Sequence, residues 1–313
     1  MGKLAFIFPG QGAQSVGMGK DFYDNYDIAK KLFDEADEVL GYSIKKMCFE
    51  GSEDDLKLTA NTQPAILIVS VIASEILKSN DIQPDIAGGH SLGEYSALVA
   101  ADVLDFKDAV LLVHKRGQFM QEAVPVGEGS MAAIIGLDDD KIVEICSKIS
   151  KEVGDVQAVN FNCPGQTVIA GTAKGVDAAV EELKAIGAKK AVVLPVSAPF
   201  HSTLMAPAAR KLALELDKVN FRDAKFPITA NVNGELETKA EVIKQNLITQ
   251  ADHPVKWIAC VNTMKNFGAD NFIEAGPGKT LCGFNKRIDK KIVSLNVEDI
   301  ESLNKTIDNL KTL

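Results

Sequence analysis

Two side chains in this sequence have the chemistry of a nucleophile and its general base. Ser91 stands in Gly89-His90-Ser91-Leu92-Gly93, a G-x-S-x-G pentapeptide between the apolar run Ile82 to Ala87 and the apolar helical stretch Tyr95 to Val103. A strand, a sharp turn and a helix in that order form a nucleophile elbow, which lifts a serine hydroxyl out at a strand tip. The flanking glycines leave room where a side chain would collide with the neighbouring strand or helix. A serine nucleophile needs a base, most often histidine, and the chain has four. His90 adjoins Ser91, but consecutive residues at a tight turn point apart. His114 falls inside an apolar helix pattern and reads as structural. His253 sits beside Asp252, which reads as the cap of a helix start. His201, in Ser197-Ala198-Pro199-Phe200-His201-Ser202, occupies an irregular segment at a predicted domain junction, where clefts form. It is the candidate base; taken alone it also reads as a loop histidine without a role.

The elements that must position these residues follow an α/β pattern. Lys3–Phe8 reads as a buried strand ending in Pro-Gly, and Thr62–Leu77 as a helix deep in the core. Helices over Tyr95–Val103 and Phe106–Ala123 complete a first section whose strand–helix alternation indicates a parallel sheet covered on both faces. Between 125 and 197 the rhythm changes to strand 130–136, helix 139–150, strand 156–161, a turn at Asn162–Gly165, strand 167–170, helix 175–186 and strand 191–194. This β-α-β-β-α-β order predicts a ferredoxin-like small domain inserted into the larger one. The larger domain is then discontinuous, 1–124 and 198–313. In its second part, strand 227–230, helices from about Lys239 and Pro254, strand 271–274 and a last C-terminal helix restore the alternation.

Three phosphate-binding look-alikes fail on a required residue. After Gly10-Gln11-Gly12, Ser15 stands where a dinucleotide fingerprint needs glycine. After Gly12 and Gly17, Met18 stands where a P-loop needs lysine. Before Gly278-Lys279-Thr280, Ile273 opens the segment where a P-loop needs glycine.

The 313 residues are 46% hydrophobic and 25% charged, with a net charge of −9, an ordinary globular composition that argues against general nucleic-acid binding. The five cysteines (Cys48, Cys146, Cys163, Cys260, Cys282) are scattered with no C-x-x-C pair, which favours buried thiols over disulfides or zinc sites. The N-terminus runs into a strand without signal-peptide architecture, and the longest apolar run, Ala65 to Ala73, is too short to span a bilayer. The expectation is a soluble cytoplasmic protein, not membrane-bound, compatible with a monomer.

A set of motifs occurs in order: Pro9-Gly10-Gln11-Gly12-Ala13-Gln14, Gly89-His90-Ser91-Leu92-Gly93-Glu94, Arg116-Gly117, Pro199-Phe200-His201-Ser202, Gln250 before Pro254-Val255-Lys256-Trp257, and Glu274-Ala275-Gly276-Pro277-Gly278. Together, over nearly the whole chain, it resembles the malonyl-CoA:acyl-carrier-protein transacylases of bacterial fatty acid synthesis. The resemblance implies an α/β-hydrolase-like large domain and a ping-pong transfer of malonyl from malonyl-CoA to the phosphopantetheine thiol of acyl carrier protein. Ser91 is then the nucleophile and His201 the base, oriented by the backbone carbonyl of Gln250. The backbone N–H groups of Gln11 and Leu92 form the oxyanion hole. Gly10-Gln11-Gly12 read alone is also compatible with a plain tight turn.

Arg116 is implied to hold the malonyl carboxylate; its residue context alone equally allows pairing with Glu122 or Asp108. Phe200, Met120 and Asn160 are implied to line the pocket, with the Phe200 ring crowding a 2-methyl branch. No tightly bound cofactor or metal is implied. Lys286, Arg287, Lys290 and Lys291 are the candidate basic patch for an acidic carrier. Three rivals remain open: a serine esterase or thioesterase, a non-catalytic carrier-binding scaffold, and a transferase serving a polyketide carrier.

Overall fold

A twisted sheet of short, almost fully apolar strands carries the site. The computed structural model describes residues 2–196 and 198–311; Met1, Ser197, Thr312 and Leu313, at the edges of the expected domains, lie outside the described residues. The strands in chain order are β1 (Lys3–Phe8), β2 (Ile86–Gly89), β3 (Gly129–Ile135), β4 (Val156–Cys163), β5 (Gln166–Thr172), β6 (Lys190–Val193), β7 (Ile228–Thr229), β8 (Leu236–Glu237), β9 (Ala269–Ala275) and β10 (Val293–Val297).

They form a six-stranded sheet in the order β10-β9-β1-β2-β7-β8 and a four-stranded sheet in the order β4-β5-β3-β6. The larger sheet is parallel except for β8, which runs antiparallel to β7. The smaller sheet is antiparallel throughout. All of its strands lie between Gly129 and Val193, with helices Asp139–Glu152 and Ala173–Ala185 in the order β-α-β-β-α-β. The chain is thus a mixed α/β protein with a largely parallel sheet and a separate antiparallel one.

The central strands β1 and β2 are buried on both faces, as parallel strands covered by helices must be. Helix Gly93–Ala100 packs on them, and helix Thr59–Ser79, buried almost throughout from Thr62 to Leu77, packs in turn against helices 93–100 and 106–122 and against β9. Each Ile, Leu or Val it removes from water stabilises the fold by about 1.5–3 kcal/mol. The apolar stretch Ala65–Ala73 understates this element, which at 21 residues is long and apolar enough to cross a membrane; 83% of its most apolar window is buried against the protein.

Two differences from the sequence reading bear on the site. Strand β2 covers Ile86–Gly89, shorter and later than the apolar run 82–87. The Ile82 N–H is committed to the Leu77 carbonyl at the end of the preceding helix (3.1 Å), and Pro84 has no N–H to give a ladder. The following helix spans Gly93–Ala100, so it begins two residues after Ser91. The small sheet is tied to the segment leading into helix Trp257–Asn266, where Val255 donates to the Val159 carbonyl (2.8 Å) and accepts from the Phe161 N–H (3.0 Å). This seam sets β4 beside the C-terminal ends of β1 and β2, the edge at which open α/β sheets bind ligands.

Candidate active site

The turn after β2 holds Ser91 in the left-handed backbone region, φ 53°. A non-glycine residue there is strained and persists only where its surroundings hold it. Asn231 does so from the far side of the chain. Its Oδ1 accepts the Ser91 N–H (2.7 Å) and its Nδ2 donates to the Gly89 carbonyl (2.7 Å). A Cβ on Gly89 would come within 1.9 Å of the Gly93 backbone, and one on Gly93 within 2.0 Å of the Phe8 carbonyl oxygen. Strand end, turn and helix start are therefore packed backbone on backbone, and both glycines of the motif are steric necessities.

His201 is brought to Ser91 across 110 residues of chain, its Nε2 lying 2.6 Å from Ser91 Oγ. It too has a positive φ, 62°. Its Nδ1 lies 2.8 Å from the backbone carbonyl of Gln250, which can only accept. Nδ1 therefore carries the proton, and Nε2 presents its lone pair to the serine hydroxyl. Burial, helped by the nearby Arg116 charge, holds His201 down to about 3. The imidazole is neutral at physiological pH and able to accept a proton.

Arg116 lies on helix Phe106–Glu122 with 1% of its surface exposed. Its Nη1 donates to Gln63 Oε1 (2.8 Å), and its Nη2 to Gln250 Oε1 (2.9 Å) and Ser91 Oγ (3.2 Å). Its guanidinium carbon is 5.5 Å from the centre of the Tyr95 ring. Pairing with Glu122 or Asp108 does not occur: Glu122 takes Lys211 (3.0 Å), and no ion pair joins Arg116 to an acid among the described residues. The cation is held by neutral oxygens, an arrangement that leaves it able to receive an anion.

A cleft of about 110 Å³ opens over these groups, lined by Gln11, Ser91, Leu92, Arg116, Met120, Asn160, Phe200 and His201, with Gln63 and His90 at its walls. Among the described residues, neither the Gln11 nor the Leu92 backbone N–H has a hydrogen-bond partner. Leu92 immediately precedes helix Gly93–Ala100, whose N-terminal dipole favours negative charge. Gln250 lies outside the cleft lining and acts from behind, through its carbonyl on His201 and its side chain on Arg116.

The other histidines are held elsewhere. His90 Nε2 lies 2.8 Å from Asn162 Oδ1, its ring packs near Trp257 and Phe284, and burial lowers its pKa. His114 Nδ1 bonds the Ala60 carbonyl (2.8 Å), and His253 pairs with Asp252 (2.7 Å).

Sequence reasoning passed over Gln63, Asn231 and the role of Gln250's side chain. Gln63 had a signal, an amide two residues ahead of the apolar stretch that begins at Ala65. Asn231 had none, because its partners are 140 residues away. Of the basic residues near the C-terminus, Lys286, Arg287, Lys290 and Lys291 are all exposed, and none forms an ion pair among the described residues. Arg287 reaches Gln166 Oε1 (2.6 Å) and the Pro164 carbonyl (2.9 Å) in the small sheet.

A neutral, oriented imidazole on a serine hydroxyl, two uncommitted N–H groups and a buried cation have the chemistry of acyl transfer onto serine with recognition of an anionic acyl group. Comparison with known proteins agrees in class. A family model described as "Acyl transferase domain" matches residues 5–309. The chain is 49% identical to a malonyl CoA-acyl carrier protein transacylase of Bacillus subtilis, covering 99% of this chain and 98% of that one. It is 45% identical to one of Staphylococcus aureus, covering 97% and 98%.

Among solved structures, an acyl carrier protein S-malonyltransferase from Vibrio cholerae superposes with a TM-score of 0.94 at 46% identity, covering 97% of this chain and 99% of that one. A malonyl-transacylase in complex with its type II PKS acyl-carrier protein gives 0.95 at 42% identity, covering 98% and 99%. The chain belongs to the malonyl CoA-acyl carrier protein transacylase family of acyltransferases.

Proposed function

We propose that this enzyme moves a malonyl group from malonyl-CoA to the phosphopantetheine thiol of an acyl carrier protein, by a ping-pong path through malonyl-Ser91. The observation that carries the reading is Arg116 beside the Ser91–His201 pair, a buried cation 3.2 Å from the nucleophile that forms no ion pair with an acid among the described residues. A guanidinium grips a carboxylate with two parallel N–H bonds, which fixes the malonyl thioester carbon over Ser91 Oγ. In the first half-reaction Ser91 passes its proton to His201 Nε2 and attacks the thioester carbon. The oxyanion so formed takes the N–H groups of Gln11 and Leu92, each such donor being worth about 3 kcal/mol.

Collapse breaks the C–S bond, and the departing CoA sulfur takes the proton from His201. In the second half the carrier thiol gives its proton to His201 and attacks the acyl-serine, and Ser91 leaves with that proton. Atoms and charges balance through the two thiols alone. Phe200 and Met120 shape the acyl pocket, and Asn160 lines its wall.

We read the small sheet with its two helices, 125–197, as a ferredoxin-like inserted domain, and 1–124 with 198–313 as an α/β-hydrolase-like domain. The β4-β5-β3-β6 order and the serine turn at the end of β2 support this reading. The exposed Lys286, Arg287, Lys290 and Lys291, none of them in an ion pair among the described residues, support a docking surface for an acidic carrier. The test is intact-protein mass after brief exposure to malonyl-CoA, beside Ser91→Ala, followed by phosphopantetheinylated carrier. One malonyl adduct, absent in the variant and discharged onto the carrier thiol, is the expected result. An adduct removed only by water makes the protein a hydrolase, and no adduct in a folded protein overturns the reading.

A further inference from the structure

Behind the cleft lies a carboxylate that the transfer steps do not use. Glu94, in the first turn of helix Gly93–Ala100, is 1% exposed. A charged-type side chain is almost never so buried unless its oxygens are engaged. One oxygen, Oε2, accepts two hydrogen bonds from distant parts of the chain, the Asn231 N–H (3.0 Å) and Gln250 Nε2 (2.9 Å). The other, Oε1, is buried with no hydrogen-bond partner among the described residues.

The two residues that meet on Oε2 hold opposite halves of the site. Asn231 clamps the strained serine turn through the Ser91 N–H and the Gly89 carbonyl. Gln250 orients His201 through its carbonyl and anchors Arg116 through Oε1, while its Nε2 also donates to the Ser91 carbonyl (2.8 Å). No hydrogen bond joins Asn231 to Gln250 directly among the described residues; they meet on the Ser91 backbone, where one takes the N–H and the other donates to the carbonyl, and on one side-chain atom, Glu94 Oε2.

We propose that Glu94 is a positioning residue for the transfer, its Oε2 being the side-chain joint that, beside the Gln250 bond to the Ser91 carbonyl, keeps the Gln250 unit, with His201 and Arg116, in register with the Asn231-clamped Ser91 turn. It acts through an acceptor atom in a fixed place. Burial pushes the Glu94 carboxyl up to about 7, and an acceptor oxygen toward Asn231 and Gln250 is available in either protonation state. The inference rests on the reading that Arg116 holds the malonyl carboxylate, because the Gln250 side chain reaches substrate only through Arg116.

The test uses Glu94→Met, which keeps volume and removes the acceptor, with Glu94→Gln as the conservative rescue. Single-turnover acylation of Ser91 is measured per folded molecule with malonyl-CoA and with acetyl-CoA, which lacks the carboxylate. In Glu94→Met, acylation by both falls, and the malonyl-to-acetyl ratio of kcat/KM drops about fivefold or more because Arg116 loses its anchored partner. Glu94→Gln recovers most of the lost ratio. In a Gln250→Ala background, which keeps the carbonyl on His201, Glu94→Met shifts the ratio no further, the non-additivity expected of residues acting in series.

An unchanged ratio in Glu94→Met, effects that multiply with those of Gln250→Ala, or a Glu94→Gln enzyme as impaired as Glu94→Met each overturn the proposal. Should Glu94→Met fail to fold, the Glu94→Gln ratio decides, since a large drop there means that charge rather than acceptor position matters. Arg116→Ala run alongside separates the two readings. If it leaves the ratio intact, the carboxylate-binding role of Arg116 fails; if it lowers the ratio and Glu94→Met does not, only the role of Glu94 fails.

Discussion

Replacing Arg116 by alanine probes the part of the site that distinguishes this enzyme from an ordinary serine hydrolase. Arg116 is 1% exposed, so a malonyl carboxylate bound to it, as proposed, would be met away from bulk water. Its loss removes two charge-assisted hydrogen bonds, each contributing about 1.5–3 kcal/mol. Acylation by malonyl-CoA should therefore slow by about 3–6 kcal/mol of transition-state stabilisation, roughly 10²- to 10⁴-fold. An acetyl group presents a methyl at that position. What it loses is the Arg116 Nη2 contact to Ser91 Oγ, which at 3.2 Å is long for a charge-assisted bond and is worth roughly tenfold at most.

The internal bonds from Arg116 to Gln63 and Gln250 are lost equally for both substrates and cancel in the ratio. The assay is rapid-quench acylation read by intact mass, with each acyl-CoA, on protein whose thermal melt matches the parent. An equal loss for the two acyl groups would refute the reasoning and make Arg116 a structural cation.

Three further outcomes follow from the site and its packing. Gly93→Ala puts a Cβ within 2.0 Å of the Phe8 carbonyl, so the serine turn must move away from β1. The variant should lose at least about 2 kcal/mol of stability by denaturant melt and nearly all acylation, overpacking of this kind costing about 1–3 kcal/mol; near-parental activity would contradict the packing described. His201, held down to about 3 against an ordinary 6.5, stays neutral through mild acid, so Ser91 acylation by malonyl-CoA should remain flat from about pH 8 to well below 6.5. For the fold the sign is that of a depressed base: the unfolded chain takes up a proton that the native site refuses. The stability of the parent relative to His201→Gln should thus fall as pH drops from 6.5 toward 3, checked by urea melts across that window.

What the sequence determined by itself is what is decided within a few residues of chain. The serine turn was legible because its requirements are local: a strand, two glycines whose Cβ atoms would strike backbone, and a helix start. The apolar length of helix Thr59–Ser79 and the β-α-β-β-α-β order between Gly129 and Val193 were legible in the same way, from periodicity and turn residues. Local patterning located β7, within the expected strand 227–230, but was silent on the two-residue strand β8 and on the half-buried edge strand β10, whose pairing depends on neighbours already in place.

The chemistry of the site belongs to the tertiary structure. His201 reaches Ser91 across 110 residues, the Asn231 amide reaches the Ser91 N–H across 140 and the Gln250 side chain reaches the Ser91 carbonyl across 159. A sequence can supply an arginine, a glutamate and two amides. Only the packed fold removes water from them, so that Arg116 is held by neutral oxygens and Glu94 becomes a shared acceptor. Desolvation and hydrogen-bond direction are properties of the assembled interior, and no single segment of the chain carries them.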